Sequence, residues 1–411
     1  MTDYTYRFRL YPNREQREHL NKSIGCVRFV YNHMLYKTKT DYRTDHTNWN
    51  LYAYKKYLPD LKKEYSFLEE VNSQSLQNAV INLDRAFKAF FKGISEFPKF
   101  KKKKKRNGAF AIPQHFRIQG NRVFIPKLKT GIKVRFHREI TGKIKSLTIS
   151  KTPTNKYYLS VLVEKDMQKL LPFQSVCGID VGIKSFAAVA QGSNNNNNIK
   201  TDKIDNPKHL SKSEKKLKRL QRQLDRKQHK RTKQDNTKAS NNYIRFSRKV
   251  AKLHEKVACQ RADFLHKLSK TVINENQVIT VENLNVKGML GNHHLAKAIS
   301  DAGWSMFINM LQYKADWYGR ELIRVDRFYP SSKTCSVCKY VNKSLTLKDR
   351  EWVCPVCNTK HDRDINAAIN LYKVGQELPE LTPAEKGTVD DRSLWLPKKH
   401  PFAETGSSSF Q

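Results

Sequence analysis

Hydrophobic and polar positions alternate from Thr2 to Leu10, the period of a half-buried strand. Pro12 ends that alternation. From there to residue 92 the apolar positions recur at three and four, as on helices. The best-defined helix is SQSLQNAVINLDRAFKAFFKG, whose Leu76, Val80, Leu83, Phe87 and Phe90 make an apolar stripe. Ser73 is placed to cap it, and Gln77, Arg85 and Lys88 fall on the opposite face. Residues 109–165 return to short strands, AFAIP, HFRIQG, RVFIPKL, IKVRF, KIKSLTIS and KYYLSVLVEK, a series that predicts a small barrel or sandwich. The first strand can join this unit, which would make the helical block an insertion in it.

The pattern changes at residue 176. VCGIDVGIKSFAAVA reads as two strands joined by a tight glycine turn, and the stretch Gly192–Asn198 as a flexible loop. Residues 211–233 and 242–274 read as two long basic helices. Their narrow seam is Leu217, Leu220 and Leu224 on one, and Val250, Leu253, Val257, Phe264 and Leu268 on the other, broken at Arg261. QVITVENL is a buried strand, residues 301–319 an amphipathic helix capped by Asp301, ELIRVDRF a further strand, and DRDINAAINLYKV the start of a last helix. Beyond about residue 376 the composition is that of a flexible tail.

Charge alters this picture. The 411 residues carry 78 Lys+Arg against 38 Asp+Glu, a net charge of +40, and only 38% are hydrophobic. Such an excess repels itself unless a polyanion neutralises it. The cations are spread along the chain among Tyr, Phe and Trp, which suits phosphate contact with base stacking and favours nucleic acid over membrane or acidic protein. The densest run is FPKFKKKKKR, in which Lys101, Lys102, Lys103, Lys104, Lys105 and Arg106 read as a solvated loop, a phosphate-binding arm or a nuclear-import signal. No run of about 18 apolar residues spans a bilayer, and Met1–Leu10 does not have the pattern of a signal peptide. Seven cysteines, an odd number, speak against a disulfide framework and for a reducing, cytoplasmic location.

Four of those cysteines stand as CSVC and CPVC, with fifteen residues between them. Two such pairs turn the thiolates of Cys335, Cys338, Cys354 and Cys357 toward one point, the pattern of a structural zinc knuckle with no position left for water. A segment with so few apolar residues needs the metal to fold.

Three acids sit at positions suited to phosphodiester chemistry. Asp180 follows the apolar VCGI, Glu282 ends VITV, and Asp364 opens the last helix. Two-metal hydrolysis needs carboxylates that converge on cations about 4 Å apart, and hard oxygen ligands select Mg2+ or Mn2+. Residues so distant in sequence can meet if their strands are neighbours in an RNase H-like sheet. Each acid alone is as well explained by a turn or a helix cap.

The chain closely resembles the TnpB proteins of IS200/IS605-type transposons, relatives of type V CRISPR effectors. The resemblance runs from YRFRLYPN to INLYKV and is most specific in GIDVGIKSFAAV, VITVENL, SDAGW, DRFYPSSKTCSVC, CPVC and HDRDINAAINL. It implies an RNA-guided DNA endonuclease whose RuvC site is Asp180, Glu282 and Asp364. The D-x-N-A-A match places the third ligand on Asp364 rather than Asp362. The implied architecture is multidomain α+β: a wedge-like β-barrel domain (residues 1–11 and 109–170) with a helical recognition domain inserted (12–108), and an RNase H-like, RuvC-type nuclease domain (171–334 and 359–375). The nuclease domain would carry a helical insertion at about 205–274 and the zinc knuckle at 331–358, before a tail from 376 to 411. Implied partners are a transposon-derived guide RNA and a double-stranded target DNA, bound by one protein chain per RNA. Gln77 and Gln114 would read a short motif beside the target, since an amide can contact adenine with two hydrogen bonds, while base pairing reads the rest.

Two other functions compete. One is a RuvC-type nuclease acting without RNA; the other is a guided repressor that no longer cuts. A transposase with a His-x-His metal site is disfavoured because none of the 13 histidines forms that motif.

Overall fold

The computed structural model of the chain describes residues 1–46, 48–102, 107–172, 174–193, 198–227, 239–346 and 348–377. Strand β1 (Thr2–Tyr11) is followed by helices α1 (Arg14–Asp45), α2 (Leu51–Lys56), α3 (Leu58–Glu64) and α4 (Ser73–Phe91). Strands β2 (Gly108–Ile112), β3 (Arg117–Gln119), β4 (Arg122–Phe124), β5 (Ile132–Arg135), β6 (Lys143–Lys151) and β7 (Tyr157–Lys165) come next. All seven strands form one antiparallel sheet in the order β2-β6-β7-β1-β5-β4-β3. The order is open, with β2 and β3 at the two edges, so among the described residues these strands do not close into a barrel.

β1 lies at the centre, paired with β7 on one side and β5 on the other, and its alternation buries Tyr6, Phe8 and Leu10 on one face. The chain leaves that strand through the four helices and returns at the edge. Helices and sheet share a single core, in which Leu20 and Leu35 of α1 and Leu76, Val80 and Leu83 of α4 are all buried. Each such side chain contributes roughly 1.5–3 kcal/mol. The cap of α4 is Asn72, whose side chain accepts from the Gln74 amide at 3.1 Å; Ser73 is instead the first helical residue. Both residue types favour a helix start, and the extended backbone at Asn72 decides between them. Phe90 is only half-buried and packs at 5.3 Å on Phe97.

The second sheet is mixed. Strands β8 (Ser175–Val181), β9 (Ser185–Ser193) and β10 (Lys200–Asp205) pair antiparallel. Helices α5 (His209–Asp225) and α6 (Asn241–Glu275) follow, and then β11 (Val278–Glu282), parallel to β8. The short helices α7 (Val286–Met289) and α8 (Ala296–Ala302) lead to α9 (Trp304–Tyr318) and to β12 (Glu321–Val325), parallel to β11. A two-stranded ribbon, β13 (Glu351–Val353) with β14 (Lys360–Asp362), precedes α10 (Arg363–Glu377). The strand order is β10-β9-β8-β11-β12.

Helices cover both faces of this sheet. Cys177 and Ile179 of β8 and Ile279 and Val281 of β11 pack with Leu265 and Ile273 of α6 and Phe307 and Leu311 of α9. On the other face, Val176 and Val278 pack with Ala368 and Tyr372 of α10. Gly178 is what lets α10 lie directly on the sheet: a Cβ there would come within 2.2 Å of the Tyr372 nitrogen and 2.3 Å of the Ala368 oxygen.

One reading of the helical region holds and one changes. The hairpin seam is thin, with Leu220, Leu253 and Val257 buried and Leu217, Leu224 and Val250 only half-buried. Asp301 does not cap residues 301–319. It sits near the end of α8, and α9 begins at Trp304 after Gly303 at φ +75°. The Asp301 carboxylate accepts instead from Leu210 N at 2.9 and 3.0 Å and from Ser211 N at 3.3 Å, satisfying the first amides of α5. Arg261, the break in the α6 seam, donates to Asp301 Oδ1 at 2.9 Å and to its backbone oxygen at 2.7 Å.

Candidate active site and metal knuckle

The period of two along a strand decides where the first two acids point. On β8, Val176 and Gly178 face α10 while Cys177 and Ile179 face α6 and α9; Asp180 has the parity of the α10 face. On β11, Val278 and Thr280 face α10, and a Cβ at Gly375 of that helix would come within 2.4 Å of Thr280 Oγ1. Glu282 shares that parity. Val281 pairs with Ile179 across the two parallel strands, which sets Glu282 beside Asp180 at the same end. Asp364, in the first turn of α10, is delivered to this end by the packing of its helix on β8.

All three carboxylates are half-buried. Burial, followed by the nearby charges of Glu282 and Asp364, pushes the Asp180 carboxyl well above the usual carboxylate range, and Arg363 opposes the shift. The sheet and α10 thus gather three acids from positions about a hundred and eighty residues apart in the chain.

Asp362 has a different place. Its Oδ1 accepts the backbone N–H groups of Asp364 and Ile365, both at 3.1 Å, and Oδ2 is 2.6 Å from Lys203 Nζ. It is the N-cap of α10. Among the described residues Asp364 has only a long approach to Arg350, at 3.8 Å.

The four cysteine sulfurs lie within 4.8 Å of one another. Cys335 to Cys357 is 3.6 Å and Cys338 to Cys354 is 3.5 Å, against about 3.8 Å between sulfurs on a zinc tetrahedron with Zn–S near 2.3 Å. The donor set fits zinc, and all four cysteines are free of disulfides. Among the described residues this is the one set of three or more His, Cys, Asp or Glu ligand atoms drawn about a single point. The three acids do not form such a set; two stand at the same end of the neighbouring strands β8 and β11, and the third in the first turn of α10.

Several contributors have no signal in spacing or periodicity. Ser331 is buried and donates its hydroxyl to Glu282 Oε1. Asn370 Nδ2 donates to the backbone oxygens of Ser331 and Thr334, each at 2.7 Å, and Asn366 Nδ2 to that of Thr334 at 2.7 Å. Asn366 Oδ1 accepts from Ser336 N at 2.9 Å. Two asparagines one turn apart on α10 therefore clamp the segment entering the knuckle. His361 places Nε2 3.1 Å from Cys335 Sγ and its ring 4.8 Å from that of Trp352.

The candidate nucleic-acid residues are surface groups. Gln77 is exposed on α4. Gln74, one turn earlier, donates to Gln114 Oε1 at 3.1 Å, which brings the two candidate readers onto one face. Lys101 places its ammonium 3.8 Å from the centre of the Tyr31 ring, and its backbone exchanges hydrogen bonds with the Asn32 side chain at 2.8 and 3.0 Å. Lys101 and Lys102 line a cleft of about 920 Å3 together with Arg7, Arg28, Lys99 and Lys151. Lys103, Lys104, Lys105 and Arg106 lie outside the described residues.

Residues 158–293 match the family model described as "Probable transposase" (OrfB of IS605), and residues 304–371 match the Cas12f1-like TNB domain. Residues 1–46 match a model described as a helix-turn-helix domain, although they form one strand and one 32-residue helix here. The fold is similar to that of a Cas12f1 solved by cryo-EM with sgRNA and target DNA, with a TM-score of 0.54 at 16% identity over 87% of this chain and 81% of that one. A relative from Streptomyces pristinaespiralis, "Putative RNA-guided DNA endonuclease", is 35% identical over 90% of this chain and 89% of its own length. InsQ from Escherichia coli K12, which bears the same description, is 29% identical over 90% and 92%. The chain belongs to the TnpB family.

Proposed function

We propose that this chain is an RNA-guided DNA endonuclease that takes a transposon-derived guide RNA and cuts duplex DNA in a RuvC-type domain built on the second sheet. The observation that carries the reading is the convergence of Asp180, Glu282 and Asp364 at one end of β8, β11 and α10. Relatives that match along nine-tenths of the chain are named as enzymes of this activity. The charge of +40 suits a protein that holds two nucleic acids at once.

Asp180, Glu282 and Asp364 would hold Mg2+ or Mn2+, hard cations that match their oxygen donors. When bound, such a pair supplies Lewis acidity to the attacking water and to the leaving oxygen. The chain's own part is to fix the carboxylates. Rigid parallel strands hold two of them, and the start of a helix pinned to those strands holds the third. Cys335, Cys338, Cys354 and Cys357 would hold zinc with no open position, so the knuckle stabilises the fold beside the site. The first sheet and its helices serve as wedge and recognition units, one chain binding one RNA. Gln77 and Gln114 face the short motif flanking the target, and the Lys101–Arg106 arm and the hairpin of α5 and α6 face phosphates.

The test is a pair of measurements. RNA that co-purifies with the protein is sequenced, and its 3′ segment should direct cleavage of a matching duplex. Asp180→Ala should abolish Mg2+-dependent cleavage while leaving RNA and DNA binding intact. Cutting at the same sites by RNA-free protein would remove the guide from the mechanism, and undiminished cutting by the variant would remove Asp180 from the site.

A further inference from the structure

Glu282 ends its strand, so the sheet fixes its backbone but leaves its side chain, with three rotatable bonds, to other contacts. The contact in the structure is Ser331, a buried residue that donates its hydroxyl to Oε1; among the described residues Oε2 has no hydrogen-bond partner. Ser331 is itself held. Its backbone oxygen accepts from Asn370 of α10 at 2.7 Å, and four residues later the chain reaches Cys335 of the knuckle. The intervening turn is closed by Thr334, whose amide and hydroxyl both donate to Pro330 O, at 3.0 and 2.9 Å. The Thr334 oxygen is in turn gripped by both Asn366 and Asn370. One short segment therefore ends at a knuckle cysteine on one side and at an active-site carboxylate on the other. The same helix that clamps it also carries Asp364.

We infer that Ser331 is a positioning residue that holds the Glu282 carboxylate in its ligating rotamer and couples the zinc knuckle to the divalent-cation site. This rests on the reading of Glu282 as a cation ligand. A hydrogen bond to one carboxylate oxygen restricts rotation and leaves the other oxygen's lone pairs for the cation. Loss of such an outer partner typically weakens metal binding by roughly 10–100-fold. The coupling has a direction: loosening the knuckle frees the segment, Ser331 leaves Glu282, and cation affinity falls although no ligand has been removed.

The experiment uses the full chain with its co-purified RNA and measures Mn2+ binding by electron paramagnetic resonance, beside zinc content. Ser331→Ala should weaken Mn2+ binding by about tenfold or more and keep its zinc. It should raise the Mg2+ concentration for half-maximal cleavage by a similar factor, with the rate recovering at saturating Mg2+. Wild-type protein stripped of zinc should show the same weakened Mn2+ binding. Unchanged Mn2+ affinity in Ser331→Ala overturns the inference, and so does loss of zinc or of the folded state by that variant, since the hydroxyl would then serve folding alone. Glu282→Gln separates the two levels. If it abolishes Mn2+ binding while Ser331→Ala does not, only the positioning role fails; if it too leaves Mn2+ binding unchanged, the carboxylate site itself fails.

Discussion

Asp362 Oδ1 accepts the backbone N–H of Ile365 at 3.1 Å, the bond that begins α10. The side chain two residues before Asp364 is therefore engaged in capping and with Lys203. Asp362→Ala should lower stability by about 1 kcal/mol and leave guided cleavage within a few-fold of wild type. Asp364→Ala should cut the cleavage rate by more than the roughly 10–100-fold expected for loss of an outer partner of a metal site, with little change in melting temperature. Plasmid cleavage and thermal melts on the two variants check this. Equal loss of activity in both would make Asp362 a ligand too.

Removal of zinc should unfold the knuckle. Among the described residues the buried side chains of its core are Cys335, Leu345, Trp352 and Cys354, few for a segment of about thirty residues to fold without a metal. Cys354→Ser should abolish zinc uptake, measured by elemental analysis, and expose Trp352, seen as a red shift of its fluorescence. A variant that keeps the emission of the wild type after losing its zinc would show that the segment folds alone.

Lys314 should make stability depend on pH. It is 8% exposed, and its ammonium donates to His266 O at 2.9 Å and Ser269 Oγ at 2.6 Å. Burial, with Lys270 nearby, draws its pKa down to about 8. The folded state therefore releases this proton near pH 8 while the unfolded chain keeps it until about 10.4. Between those values the unfolded state binds more protons, so stability rises with pH; below pH 8 both states are charged and the burial penalty is constant. Relative to Lys314→Met, the wild type should gain on the order of 2 kcal/mol between pH 8 and pH 10, read from denaturant midpoints. A flat difference across that window would place the ammonium in a better-solvated setting.

Asp301 joins three elements through α8, Arg261 of α6 and the first amides of α5. Asp301→Ala leaves a largely buried guanidinium unpaired and two helix amides without an acceptor. The expected cost is about 3–5 kcal/mol, with faster proteolysis in the hairpin. Denaturation and limited trypsin digestion measure both effects.

Much of this was legible because strand and helix periods print directly onto sequence. β1, the six strands that follow α4, and the two acids at strand ends Asp180 and Glu282 are of that kind. The knuckle was legible because four cysteines at fixed spacing have few other uses. What escaped depends on contacts between distant segments. Asp301 looks like a cap for the helix beside it, and only the fold shows it serving α5 some ninety residues earlier. Ser331 lies in a turn with no period, so nothing local marks its hydroxyl as aimed at Glu282. Open sheet edges rather than a closed barrel follow from pairing order, which alternation does not encode. At Asn72 and Ser73 the signal was present but degenerate, since both residues cap well.

The central place of β1 bears on how the chain is made. This strand is made long before its partners, residues 133–135 and 157–165. Through more than a hundred residues of synthesis its two edges have nothing to pair with, while α1 to α4 can already form turn by turn. The loop-closure cost must be met before the pairing returns anything, so the first sheet is a late event and its nascent strand is exposed to wrong partners meanwhile. Arg7 and Arg9 alternate with its buried residues, and charges so placed disfavour pairing with another strand.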